Sequence, residues 1–276
     1  METTPPGLMQ SWSQLAFNQE PDSPNQIHGD ELAQQFGFEG GLVPGVTVSA
    51  YLLHPAVEAW EEDFLDRGWS HVRVLSPLYD GETFAVEVGE SGPGYYEAAL
   101  TRPDGTLSAR AEVRLPDTLP APPERRGDPL VALDYVGPPA TLEQWMQLRA
   151  GGCSAQRFEW RPGGRLGTYL RDETAMPALL RGPEACANPA FILGISNWIA
   201  AANAYMNPWV HLETRAQHFR CVQAGTAVVA EMSVTDLFEK RGHEFVDVQV
   251  DLYDEADDTC LASIALRAIY RLRGAD

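Results

Sequence analysis

Two stretches of the chain carry apolar residues on almost every side of a helix. In residues 46–65, Val46, Leu53, Val57 and Trp60 recur at largely helical spacing, and Val48, Ala50, Tyr51 and Leu52 fill in the start. A helix without a polar face is expected inside a sheet, not on a surface. The second stretch, residues 190–205, follows Asn188-Pro189 and reads PAFILGISNWIAAANAY from Pro189 onward.

Strand-like alternation follows each helix. After the first come residues 71–75, 83–88, 95–101 and 107–115, parted by Asp80-Gly81, Gly92-Pro93-Gly94 and Asp104-Gly105. After the second come residues 211–222, 227–238, 244–253 and 260–272, parted by Ala224-Gly225, Arg241-Gly242 and residues 255–258. Period-two alternation bounded by such turns predicts antiparallel hairpins. A shift of 144 lays Gly81 to Val88 (GETFAVEV) on Gly225 to Met232 (GTAVVAEM), with helix, strand and turn order agreeing around it. The plan is therefore α+β, with one long apolar helix wrapped by an antiparallel sheet, used twice. The two sheets are expected to pair side by side, which hides their edges. Residues 115–128, LPDTLPAPPERRGD, hold four prolines and have little to bury. They predict a linker over 116–128 between a first unit, 1–115, and a second, 129–276.

Composition changes this picture little. Hydrophobic residues make up 44% of the chain, enough for a packed core. The net charge of −19 repels phosphate backbones and anionic lipid surfaces, so neither nucleic acid nor membrane is an expected partner. No apolar run reaches the roughly 20 residues that span a bilayer. Met1 to Leu8 lacks the basic start and apolar run of a signal peptide. Cys153, Cys186, Cys221 and Cys260 stand far apart without a CxxC pair, which reads as reduced thiols in a cytoplasmic protein. No histidine cluster has metal-ligand spacing, so no metal is expected.

Candidate chemistry lies in residues 22–46, DSPNQIHGDELAQQFGFEGGLVPGV. This stretch resembles the MaoC-like (R)-specific enoyl-CoA hydratases of the hot-dog superfamily. That family shows Asp-x-Asn-Pro-aliphatic-His, then an Ala, a Gly-Phe, and a small-residue turn ending in His-Gly-Met at a buried helix. Asn25, Ile27, His28, Ala33, Gly37, Phe38 and Gly45 match in spacing, and Ser76 to Glu82 resembles the family's Pro-x-x-x-Gly-Asp turn. The family's Asp falls on Ser23, with Asp22 one place early, and the His before the helix glycine falls on Pro44.

The resemblance implies a double hot-dog fold and a site for an acyl thioester carried by coenzyme A or acyl carrier protein, without a cofactor. It implies His28 and Asn25 as catalytic residues, with Ser23, Asp22 or Asp30 beside them. The backbone of Gly45 and Val46 at the helix start would bind the thioester oxygen, glycine allowing close substrate approach. With the acid displaced, three outcomes stay open: a hydratase or dehydratase with an altered dyad, an acyl-CoA thioesterase, or a non-catalytic acyl binder. The second half has Cys186-Ala187-Asn188-Pro189 where the first has its motif, so it is expected to be structural or to shape the pocket for the substrate's tail. Trp198, Tyr205 and Trp209 read as core or contact aromatics, and His211, His218 and His243 as surface or packing residues. Arg67, Arg73, Arg215 and Arg220 read as ordinary surface cations. A coenzyme A site would need a basic patch within the acidic field. A homodimer of the double unit is compatible with the resemblance.

Overall fold

A computed structural model describes residues 9–274. Met1 to Leu8, read above for a signal peptide, lie outside the described residues. The first half runs β1 (Trp12–Leu15), α1 (Asp30–Gln35), α2 (Gly45–Arg67), β2 (Trp69–Val74), β3 (Thr83–Gly92), β4 (Tyr95–Thr101) and β5 (Leu107–Arg114). The second runs β6 (Leu130–Val131), α3 (Leu142–Gly151), β7 (Ala155–Glu159), α4 (Pro189–Asn203), β8 (Val210–His218), β9 (Ala227–Lys240), β10 (His243–Asp254) and β11 (Cys260–Arg271).

Among the described residues all the strands join one 11-stranded sheet, in the order β1-β3-β4-β5-β2-β8-β11-β10-β9-β7-β6. Every pairing is antiparallel except β6 with β7. From the centre outward, β2-β5-β4-β3-β1 is matched by β8-β11-β10-β9-β7, with β6 added at the second edge, and β2 and β8 meet at the seam. There Trp69 faces Gln217, His71 faces Arg215 and Arg73 faces Glu213. The repeat seen in the sequence is carried by the backbone: Gly45 and Pro189 begin their helices 144 residues apart, as Thr83 and Ala227 begin their strands.

The expected burial of the two helices is observed. Every residue of α2 from Val46 to Val57 is buried, and so is most of α4. The two helices lie against each other and against their own strands. The long helix is not continuous, because Glu61 leaves helical geometry (φ 48°, ψ −128°). Beyond this break Phe64 and Leu65 are turned into the core, at 0% and 3% exposure. Residues 116–128 form no helix or strand, but they are not loose. Glu231, fully buried on β9, accepts the backbone N–H of Arg126, Gly127 and Asp128 at 2.7, 2.7 and 2.9 Å. The four cysteines are free and buried. Among the described residues no helix is long and apolar enough to cross a membrane, and no group of His, Cys, Asp and Glu is arranged to hold a metal ion.

Candidate functional site

The residues matched to the motif fall into two groups with different work. Ile27, Ala33 and Leu42 are buried in a small cluster with Phe245, Ile269 and Leu272, and Phe36 and Phe38 pack on it. The apolar positions thus clamp the loop of the first half onto strands of the second. The polar positions, held on that clamp, turn toward a cleft of about 700 Å³. His28, Asn25, Ser23, Pro44 and Val46 line one side of it.

His28 sits where a one-turn helix (Gln26–His28) ends. Its Nδ1 is 2.7 Å from the Leu42 carbonyl, which can only accept, so Nδ1 carries the proton and Nε2 keeps its lone pair. Asn25 Nδ2 lies 3.4 Å from that Nε2. The Asn25 amide also donates to Trp209 O and accepts from Trp209 N, both at 3.1 Å, as a strand neighbour would. Asn25 therefore ties the motif loop to the chain entering β8 while it faces the imidazole. Burial holds His28 below its ordinary proton affinity, and Arg165 adds to this; the Leu42 carbonyl and Glu20 oppose it. Burial therefore favours the neutral form of this imidazole.

Pro44 caps α2 without a side-chain hydrogen bond, and the helix's own ladder begins with Thr47 and Val48 donating to Pro44 O. The amides of Gly45 and Val46 are left at the open, positive end of the helix, with Val46 lining the cleft. The matching end of α4 is closed: Asn188 Oδ1 accepts from Ala190 N and Phe191 N at 2.9 and 3.2 Å. The two helix starts are equivalent in the fold and opposite in chemistry.

Several expectations are revised by the geometry. Asp22 is exposed and does not line the cleft. Asp30 is occupied by the Gly41 N–H at 2.8 Å. Ser23 lines the cleft and donates its hydroxyl to Asn25 O at 3.1 Å, a loop-forming bond. The close approach that Gly45 permits is taken by protein, since a Cβ there would lie 2.9 Å from the His211 ring. Of the two roles expected for His211 and His218, surface or packing, burial selects packing. His211 Nδ1–H donates to Asn197 Oδ1 at 3.0 Å and its Nε2 accepts from Thr214 Oγ1 at 2.5 Å. Burial, with His28 nearby, pushes its pKa down to about 3. Trp198, Tyr205 and Trp209 wall the cleft. None of Arg67, Arg73, Arg215 and Arg220 lines it, whereas Arg157, Arg161 and Arg165 do. Those three are matched by Glu255, Glu159 and Glu20, so the rim carries both signs rather than a basic patch.

Most of the cleft's remaining wall comes from the second half, including Phe158, Leu166, Phe191 and Ala201. Sequence reasoning missed Glu20, Arg165 and His211, because no local pattern joins positions so far apart in the chain.

One solved structure, a conserved hypothetical protein of Mycobacterium tuberculosis described as having a double hotdog fold, superposes with a TM-score of 0.59 at 12% identity. The match covers 94% of this chain and 95% of that one. The fold is a double hot dog. A MaoC-like dehydratase matches with a TM-score of 0.51 at 10% identity, over 96% of this chain and 99% of that one. A tesB protein of Mycobacterium avium subs paratuberculosis matches with a TM-score of 0.53 at 12% identity, over 95% and 93%. No protein-family model and no curated protein sequence matches the chain. A protein named as a dehydratase and one named tesB thus share this chain's fold.

Proposed function

We propose that the cleft takes an acyl thioester, and that His28 moves a proton between the α-carbon and the β-oxygen of a 3-hydroxyacyl/enoyl pair. The observation that carries this reading is a neutral imidazole lone pair in one cleft with the open amide end of α2. In the dehydration direction, His28 Nε2 takes the α-proton. The C–H electron pair moves toward the thioester carbonyl, whose oxygen gains charge that the Val46 and Gly45 amides and the helix dipole stabilise. The β-carbon–oxygen bond then breaks with its electron pair on oxygen. The imidazolium returns the proton to that oxygen, and water leaves. One imidazole serves both ends when both groups depart from the same face, so the absence of a carboxylate at Ser23 is compatible with the chemistry. Hydration is the reverse. Asn25 holds the water or hydroxyl beside Nε2. The double hot-dog fold shared with a MaoC-like dehydratase supports the reading.

The test is hydration of crotonyl-CoA and longer enoyl-CoA esters by the wild type and His28→Ala. Loss of about 10²- to 10⁴-fold in kcat/KM is expected, the usual share of a proton-transferring side chain. No hydration at any chain length, or activity unchanged in the variant, would overturn it.

A second reading, thioester hydrolysis, is supported by the likeness to the tesB protein. His28 would then activate water to attack the carbonyl carbon, with the same amides on the oxygen. Free-thiol release across acyl chain lengths tests it. Acyl-CoA binding without His28-dependent turnover in either assay would make the cleft a non-catalytic acyl-thioester site. Coenzyme A and acyl carrier protein esters are both within this proposal.

A further inference from the structure

Ser23 cannot place a charge beside His28, but a carboxylate reaches the same cleft from three residues earlier. Glu20 lines the cleft with His28. Its backbone N–H donates to Asn18 Oδ1 at 3.1 Å, while the Asn18 amide donates to the His28 carbonyl at 2.8 Å. Asn18 is 8% exposed and is itself fixed by Asp80, which accepts its N–H at 2.8 Å. One buried amide therefore sets Glu20 and His28 relative to each other. The Glu20 side chain, 13% exposed, accepts two hydrogen bonds from Arg165, at 2.8 and 2.6 Å. Arg165 comes from the loop after β7, and its guanidinium lies 4.6 Å over the Trp198 ring of α4. The pair spans the cleft from the first half to the second.

We propose that Glu20 is the positioning residue of this site: its carboxylate, steered by Arg165, sets how readily His28 accepts and returns a proton. The proposal rests on the reading of His28 as the proton carrier. Among the described residues, three charged or titratable side chains act on or are felt by His28. Glu20 lies on its own loop and Arg165 on the loop after β7, while His211 on β8 is buried and neutral. The negative and positive members of the pair act on the imidazole with opposite sign. A mere strut between the halves has no such sign.

The experiment follows the His28 ring by NMR titration of the full chain without substrate, beside pH profiles of kcat/KM for crotonyl-CoA. Glu20→Gln is expected to move the His28 midpoint, and the acidic limb of the profile, to lower pH. Arg165→Gln is expected to move both to higher pH, and the double variant to lie between. Glu20→Asp, which keeps the charge, should stay near wild type. If Glu20→Gln fails to fold, Arg165→Gln and Glu20→Asp still decide. Single variants that shift His28 in the same direction, or leave it unmoved, overturn the proposal. Opposite NMR shifts in a protein that hydrates no enoyl thioester would uphold Glu20 and sink the hydratase reading alone.

Discussion

Gly41 has no room for a side chain, since a Cβ there would lie 2.1 Å from the His28 carbonyl oxygen. Gly41→Ala must push the loop off His28. It should cost about 1–3 kcal/mol in denaturant unfolding, the usual range for overpacking, and remove His28-dependent activity. Asn25→Ala leaves the Trp209 N–H and carbonyl without their side-chain partners in a largely buried place. A loss of about 1–3 kcal/mol is expected, measured in the same way. The buried histidines give the fold an acid limit. Burial lowers His54 and His218 to about 4 and His211 to about 3, and lowers His28 as well. Their folded values lie below the unfolded value near 6.5, so the unfolded chain binds protons first as pH falls. Stability should be level above about pH 6.5 and fall between there and pH 4, by up to about 1.4 kcal/mol per pH unit for each such histidine. Melting temperatures from pH 8 to pH 4.5 check this, and His218→Phe should flatten the acid slope.

Among the elements, the ones readable from sequence are those that bury a full face. α2 and α4 announce themselves because no charged residue interrupts Val46 to Val57 or Pro189 to Ile195. The eight long strands follow because alternation persists over enough residues to be seen. β1, β6 and β7 were not legible: Trp12–Leu15 and Leu130–Val131 are too short to show a period, and only the surrounding sheet makes them strands. α3 was missed because Trp145 is its one buried residue, too thin a stripe to stand out. The candidate site divides in the same way. Asn25 and His28 lie in one short motif and were visible; Glu20, Arg165 and His211 meet only through the folded sheet. Asn188 links the two levels, because it caps α4 and also donates to Leu166 O and Gly167 O at 2.8 and 3.0 Å, beside Arg165. Asn188→Ala should cost about 1–2 kcal/mol from the lost cap alone. It should also loosen the loop carrying Arg165, read as faster amide hydrogen exchange at residues 164–167.

Across the whole molecule, the halves share a sheet, two facing helices and a cleft. Unfolding followed by tryptophan fluorescence and by far-UV circular dichroism should therefore give coincident curves. The segment between the halves looks open in sequence, with Arg125-Arg126 among prolines, yet the buried Glu231 carboxylate fastens it. Trypsin should spare this pair in the native protein, and Glu231→Gln should expose it, visible as cleavage into two large fragments. The seam through β2 and β8 makes the molecule nearly a pair of equal bodies, but its two helix starts differ: Pro44 leaves one open and Asn188 closes the other. Two identical chains joined across such a seam would have to keep or lose both openings together. A single continuous chain is free to retire one. Isothermal titration with a non-reactive acyl-CoA ether should then saturate at one equivalent per 276-residue chain, where a symmetric pairing of like halves would take two.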